Sequence, residues 1–446
     1  MKVLHLSTAD ANGGAARGAY WMHRALRKAG VDSYMLVADK FTSDATVIGS
    51  TGITGSQKVQ KGIRQTVEYW PLKQYKQKQS GAFSPAIYPS QIVKQVESID
   101  PDIINLHWVA GGLLRPQDLK QFQRTRDRHL VWTLRDMWPF TGGCHYSDAC
   151  LAYQTGCGHC PALGSQKLRD LSYKTWQRKQ AAWKDLNITL APLSEWLADC
   201  ARSSKLFAHQ RIQVIANAVD EKKFRPVEKA IARDLLQLPA YTKLILFGAL
   251  SPTTDARKGF NLLRTALQEL ATQPQPAPFE AVVFGTNKPE RDLGLKLPTW
   301  FLGRLNDDTT LALAYSAADV MVVPSTQEAF GKTAIEAMAC GTPVVAFDTT
   351  GLKASVIHQH NGYLARCFDT SDLANGIRWV LEDCDRLQTL SQNARQTVED
   401  KFTLAHQAQQ YSALYHQLLS TADKATADKA TADKATADKA TADKAS

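Results

Sequence analysis

The stretch Val320-Met-Val-Val-Pro-Ser-Thr-Gln-Glu-Ala-Phe-Gly-Lys-Thr-Ala-Ile-Glu-Ala-Met-Ala-Cys-Gly-Thr-Pro-Val-Val-Ala-Phe347 decides the fold. An apolar run at 320–323 reads as a strand, 324–331 as a loop and 332–340 as a helix, with Gly341 as its stop and a second apolar strand at 344–347. Both strands are apolar on every side, as a parallel sheet covered on both faces requires. In such a βαβ unit a ligand lies beyond the carboxyl ends of the strands, where loop feeds helix. Glu328 and Phe330 occupy that position. Gly331 lets a ligand approach the helix N-terminus, whose free N–H groups favour a phosphate. Glu328 and Glu336, eight residues apart, flank this place. A carboxylate repels a phosphate, so both read as acceptors of hydrogen bonds from sugar hydroxyls. Taken alone, such a pair reads equally well as two solvated surface groups.

The surrounding residues sharpen the reading. Pro324-Ser325, Glu328, Phe330-Gly331, Glu336-Ala-Met-Ala339 and Gly341-Thr-Pro-Val-Val345 together resemble the nucleotide-sugar site of the retaining GT-B glycosyltransferases of GT4 type. The resemblance runs from about residue 1 to 420. It implies an α/β protein of GT-B class, with two Rossmann-like domains facing a central cleft. It also implies that Glu328 contacts the donor sugar and Glu336 the ribose.

Length fits two such domains plus a tail, since 446 residues exceed one average domain. No apolar run approaches a membrane span, and Val3-Leu-His-Leu6 enters a strand at once without a signal-peptide core, so a cytoplasmic enzyme is expected. The formal charge of +10 would attract anionic lipid, nucleic acid or an anionic substrate. Part of it clusters between Gln57 and Gln79, where Lys58, Lys61, Arg64, Lys73, Lys76 and Lys78 face one acid, Glu68. Val59, Ile63, Val67 and Trp70 recur among them at helical spacing, which is the pattern of a helix lying on an anionic membrane face as well as that of a plain surface helix. No aromatic-basic nucleic-acid module is present, and no nucleic-acid partner is expected.

In the first half, strands are expected at 3–7, 33–37, 103–107 and 130–133, with helices near 15–29 and 90–97; this alternation argues for a parallel sheet. Gly13-Gly14 follows the first strand, and the resemblance places such a pair against the donor phosphate and the acceptor, making Gly14 a donor-binding candidate. His107, Arg135 and Asp136 fall at strand ends and are the acceptor-binding candidates; Arg135-Asp136 stands where the family often has His-Asp or His-Glu. Four of the eight cysteines lie within 17 residues as Cys144, Cys150, Cys157 and Cys160, spaced C-x5-C-x6-C-x2-C. In a chain without a secretion signal this reads as a structural Zn2+ site, with His145 and His159 as substitute ligands and reduced or redox-active thiols as the alternative. A closed four-thiolate site braces a loop and does not catalyse. The run Trp138-Pro-Phe-Thr-Gly-Gly-Cys-His-Tyr146 resembles a GT4-type subgroup associated with bacterial exopolysaccharide assembly. The other cysteines, Cys200, Cys340, Cys367 and Cys384, read as core packing. The segment 169–184 reads as a core helix with a solvated basic face.

A strand is expected at 212–215, running into Asn217-Ala-Val-Asp220, which resembles the interdomain segment of the family. The domains are therefore set at 1–216, with the Cys-rich loop at 144–160, and 217–400; a helix at 401–420 is implied to pack back on the first domain, and 421–446 forms a tail of Thr-Ala-Asp-Lys-Ala repeats with nothing large to bury. After the strand at 244–248, Arg257-Lys258-Gly259 precedes a helix, so Lys258, with Arg257 beside it, is placed to neutralise a departing diphosphate. Lys258 and Glu328 are the catalytic candidates, and no catalytic metal is expected. The resulting expectation is a retaining transferase acting from a nucleoside diphosphate sugar onto a glycan or lipid-linked acceptor. An epimerase or phosphorylase on the same fold, a non-catalytic scaffold of a polysaccharide assembly complex, and a zinc-dependent nucleic-acid binder are its rivals.

Overall fold

The computed structural model describes residues 1–51, 55–75, 82–89, 92–123, 128–249, 253–272, 278–290 and 292–421. Lys76, Lys78 and the repeats beyond 421 lie outside them, as do the side chains of Gln57 and Lys58.

Among the described residues twelve strands form two sheets of six. The first holds β1 (Lys2–Ala9), β2 (Asp32–Lys40), β3 (Val47–Thr51), β4 (Ile103–Leu106), β5 (His129–Leu134) and β6 (Ile188–Pro192) in the order β3-β2-β1-β4-β5-β6. The second holds β7 (Lys243–Gly248), β8 (Phe279–Phe284), β9 (Thr299–Phe301), β10 (Val320–Val323), β11 (Val344–Phe347) and β12 (Gly362–Ala365) in the order β12-β11-β10-β7-β8-β9. Every pairing is parallel. Read from the first strand of each domain, both sheets have the same doubly wound order. In each, the direction of winding reverses between the first and fourth strands, β1/β4 and β7/β10, and a ligand crevice opens at such a reversal.

The apolar runs explain the burial. β4, β6, β10 and β11 are buried at every residue, because helices cover both faces of each sheet. One core layer of the second domain joins β10 and β11 to the helices Asp308–Ala317 and Lys332–Ala339, and another joins their opposite faces to the helices Phe260–Thr272 and Thr370–Leu381. A helix over 404–421 follows Cys384–Lys401 and returns to the first domain. There Ala408, Tyr411, Leu414, Tyr415 and Leu418 pack with Val3, Ile103 and Val131. The Tyr415 hydroxyl accepts from Asn105 Nδ2 at 2.6 Å, and the Tyr411 hydroxyl pairs with Thr133 Oγ1 at 2.8 Å.

Three sequence expectations need correction. The segment 212–215 is not a strand: it meets β6 at a single bridge, Leu190 with Ile212, and then leaves the sheet for the interdomain connection. Cys367 and Cys384 are exposed, so core packing accounts only for Cys200 and Cys340. The helix Leu171–Trp183 does not present all its cations to solvent, because Lys179 is fully buried.

Candidate active site

The segments after β1 and β5 face those after β7 and β10. The helix Lys332–Ala339 opens at Gly331, whose φ of 86° is a left-handed conformation that suits glycine. Gly259, at φ 72°, lies against the Pro324 carbonyl, so close that a Cβ has no room. That approach brings the loop after β7 onto the loop after β10. Lys258 Nζ reaches Glu328 Oε1 at 2.6 Å, and Arg257 Nη1 lies 3.3 Å from the same oxygen while donating to the Gln327 carbonyl at 2.8 Å. Burial pushes the Glu328 carboxyl up, but Lys258 and Arg257 outweigh it and hold the group below the ordinary range.

Glu336 lies one helical turn inside, buried, with Oε2 accepting from the Tyr315 hydroxyl at 3.0 Å and Oε1 3.0 Å from Lys332 Nζ. Burial lowers the Lys332 amine to about 8 against the pull of Glu336, with Arg17 and Arg135 lowering it further. Lys332 also spans the cleft. Its ammonium lies 3.9 Å from the centre of the Trp21 ring, and its side chain stands against Gly14. Arg17 joins the same contact by pairing with Asp308, at the start of the helix Asp308–Ala317. Beside Trp21 a cavity of about 670 Å3 opens between the first helix, Gly14–Lys28, and residues 306–313; five arginines and lysines line it, Arg17, Arg24 and Lys223 among them, against Asp307 and Asp308.

The other predicted residues divide. Gly14 and Gly331 line the cleft from opposite sides. The Phe330 side chain is 2% exposed and its ring packs edge-to-face on Phe402. His107 and Asp136 are also committed to the protein interior. His107 Nε2 lies 3.0 Å from His5 Nδ1, and its Nδ1 accepts from Arg135 Nε at 3.3 Å; burial, then Arg135 and His5, push its pKa well below the ordinary value. Asp136 accepts from the Trp138 amide at 3.0 Å and pairs with His145 Nδ1 at 2.6 Å. Arg135 remains the acceptor-side candidate: its Nη1 approaches Asn217 and Gly18, while its Nη2 is buried without a hydrogen-bond partner.

The four cysteines Cys144, Cys150, Cys157 and Cys160 line one small pocket. None forms a disulfide. Among the described residues no group of three or more His, Cys, Asp or Glu side chains is already gathered as a metal centre. Both substitute ligands are corrected, because His145 is held by Asp136, Ser84 and Trp108, and His159 is exposed. The Cys-rich loop meets the donor side directly: the Tyr146 ring lies 4.3 Å from the Arg257 guanidinium carbon, and Asp148 and Gln327 exchange two hydrogen bonds of 3.1 Å.

Sequence reasoning missed Lys332, Trp21, Arg17, Tyr315 and Tyr146. Lys332 had a local signal, four residues before Glu336 on the helix that opens the site. Tyr146 closes the motif that begins at Trp138, but Trp21, Arg17 and Tyr315 act from distant segments and nothing local marks them.

Residues 243–397 match the model of the family Glycosyl transferases group 1. A D-inositol 3-phosphate glycosyltransferase of Catenulispora acidiphila is 35% identical over 200 residues, 41% of this chain and 45% of that protein. One from Thermobispora bispora is 35% identical over 198 residues, 42% of this chain and 46% of that protein. The chain thus spans less than half the length of these curated relatives. Among solved structures, the sucrose-phosphate synthase of Thermosynechococcus elongatus aligns with 94% of this chain and all of its own at a TM-score of 0.65 and 22% identity. HepE of Anabaena, solved with UDP-glucose, aligns with 94% of this chain and all of its own at 0.60 and 19%. The lipopolysaccharide glycosyltransferase WaaG aligns with 93% of this chain and 99% of its own at 0.60 and 15%. These likenesses fix the fold. The chain has the two-domain GT-B architecture, and residues 243–397, within its second domain, match the family Glycosyl transferases group 1.

Proposed function

We propose that the protein is a retaining glycosyltransferase that moves a sugar from a nucleoside diphosphate sugar to a hydroxyl of a glycan or lipid-linked acceptor in surface polysaccharide assembly. The observation that carries this reading is the convergence of Lys258 and Arg257 on Glu328 at the mouth of the helix Lys332–Ala339, beyond the winding reversal of the second sheet. An arriving diphosphate takes the two cations and the helix N-terminus, which frees Glu328 for the sugar hydroxyls. The bond from the anomeric carbon to the phosphate oxygen breaks as the acceptor oxygen bonds on the same face. The departing phosphate oxygen takes the acceptor proton, so no protein base is needed. Lys258, Arg257 and the helix N-terminus stabilise the developing charge, work that other enzymes give to a divalent metal.

Glu336 takes the ribose diol, for which Lys332 must release Oε1. HepE, a structural neighbour, binds UDP-glucose, which supports a uridine donor. The test is a screen of UDP-, GDP- and ADP-sugars for thermal stabilisation of the wild type, Lys258→Ala and Glu336→Ala. One donor is expected to stabilise the wild type by roughly 2.7 kcal/mol at about a hundred times its dissociation constant and to lose that effect in both variants. No response to any sugar nucleotide sinks the proposal.

A second reading of the acceptor has its own support. The curated relatives are named for D-inositol 3-phosphate, and both the buried, unpartnered Nη2 of Arg135 and the cation-rich cavity beside Trp21 suit a phosphorylated polyol. With the donor known, product formation on inositol 3-phosphate supports it, and turnover only on glycan or lipid-linked acceptors refutes it.

A further inference from the structure

The site so far makes no use of the Cys-rich loop. Four features there point the same way. Cys144, Cys150, Cys157 and Cys160 come from a segment with no regular strand or α-helix and yet surround one cavity of about 20 Å3, space on the scale of one water molecule. A backbone donor is aimed at one of the sulfurs: the Gly142 amide donates to Cys157 Sγ at 3.1 Å. Gly158 and His159, both at positive φ, fold the chain back sharply between Cys157 and Cys160. Last, Lys179 is fully buried against this loop. Its ammonium donates to the carbonyls of Trp138 and Thr141 and lies 3.7 Å from the centre of the Trp138 ring, and among the described residues no carboxylate forms an ion pair with it. A buried ammonium calls for a nearby negative charge.

We propose that these four cysteines bind a structural divalent cation of the zinc class as thiolates, and that the ion fixes the loop carrying Tyr146 and Asp148 against the donor side of the cleft. Each thiol releases its proton to solvent as its sulfur bonds the ion, so binding involves no oxidation or reduction. Four thiolates around a dication leave a net charge of −2, and Lys179 partly offsets it. The four cysteines line the same pocket, and metal–sulfur bonds of about 2.3 Å would draw their sulfurs onto one centre. Through Tyr146 beneath Arg257 and Asp148 against Gln327, the ion acts on the residues beside Glu328.

The test uses the full chain, purified without chelator. Elemental analysis is expected to find close to one zinc per chain, and replacement by Co2+ to give the spectrum of a tetrahedral thiolate complex. Cys157→Ser and Cys160→Ser are expected to lose the ion. Removing metal from the wild type is expected to raise hydrogen exchange in 144–160 and 325–328. Metal-free protein in which all eight thiols react after unfolding overturns the proposal, and so does a disulfide among the four. Metal content and the cobalt spectrum decide the matter even if the serine variants fail to fold, and neither depends on which donor, if any, the cleft accepts.

Discussion

Lys332 shows how much one residue can set. It is the first residue of the helix at the donor site, it pairs with Glu336, and it reaches Trp21 and Gly14 in the other domain. Burial, aided by Arg17 and Arg135, outweighs the pull of Glu336 and leaves the amine near 8, below the ordinary lysine value of 10.5. Between those values the unfolded chain holds a proton that the folded chain has released, so stability rises with pH across that window. The offset of about 2.5, at 1.36 kcal/mol for each pH unit, bounds the gain at about 3 kcal/mol. Lys332→Met removes the titrating group and keeps most of the volume. Denaturant unfolding at pH 8, 9 and 10 is expected to show the wild type gaining on the variant as pH rises. Parallel profiles would mean that the amine titrates like a surface lysine.

At the scale of the element, the helix Gly55–Tyr69 is turned opposite to a usual surface helix. Arg64 pairs inward with Asp39 at 2.7 Å, and the buried Glu68 accepts the amides of Ala86, Ile87 and Tyr88. Its apolar stripe, continued by Trp70 just past its end, faces out instead, with Val59 62%, Ile63 51% and Trp70 68% exposed. Lys61 and Lys73 border it. The periodicity of this stripe was plain in the sequence, but its direction was not, because direction depends on which partners the polar face finds in the fold. The same distinction holds elsewhere. The apolar runs of β1, β7 and β10 and the quoted βαβ unit were legible, whereas the sequences of β3, β6 and β12 do not show that a sheet edge awaits them. We expect the exposed stripe and its lysines to hold the protein on anionic bilayers, consistent with a lipid-linked acceptor. Co-flotation with vesicles containing phosphatidylglycerol, and none with pure phosphatidylcholine, is the expected result, lost in Ile63→Ser/Trp70→Ser without change in donor-induced stabilisation. Equal recovery of wild type and double variant with anionic vesicles would refute it. Among the described residues no helix is long and apolar enough to cross a membrane.

At the scale of the molecule, the two domains meet through residues that spacing could not pair. Arg17 with Asp308, Lys332 with Trp21, and the Cys-rich loop with Arg257 and Gln327 all cross the cleft. The helix over 404–421 ties the ends of the chain together by a different means, filling the core of the first domain after the second is complete. It also supports the site from beneath, since Tyr411 and Tyr415 bond Thr133 and Asn105, which lie on β5 and β4 just before Arg135 and His107. Tyr411, Leu414, Tyr415 and Leu418 are all buried there. At roughly 1.5–3 kcal/mol for each such side chain, their loss removes on the order of 10 kcal/mol, comparable with the whole stability of a typical domain, about 5–15 kcal/mol. A chain ending at Thr403 is therefore expected to lose the folded first domain, seen as aggregation and loss of its calorimetric transition. A chain ending at Thr421 is expected to melt with the full-length protein, because the Thr-Ala-Asp-Lys-Ala repeats bring no large apolar side chain to any core. A soluble 1–403 chain with an unchanged melting profile would show that the first sheet holds its own core and that the last helix merely rests on it.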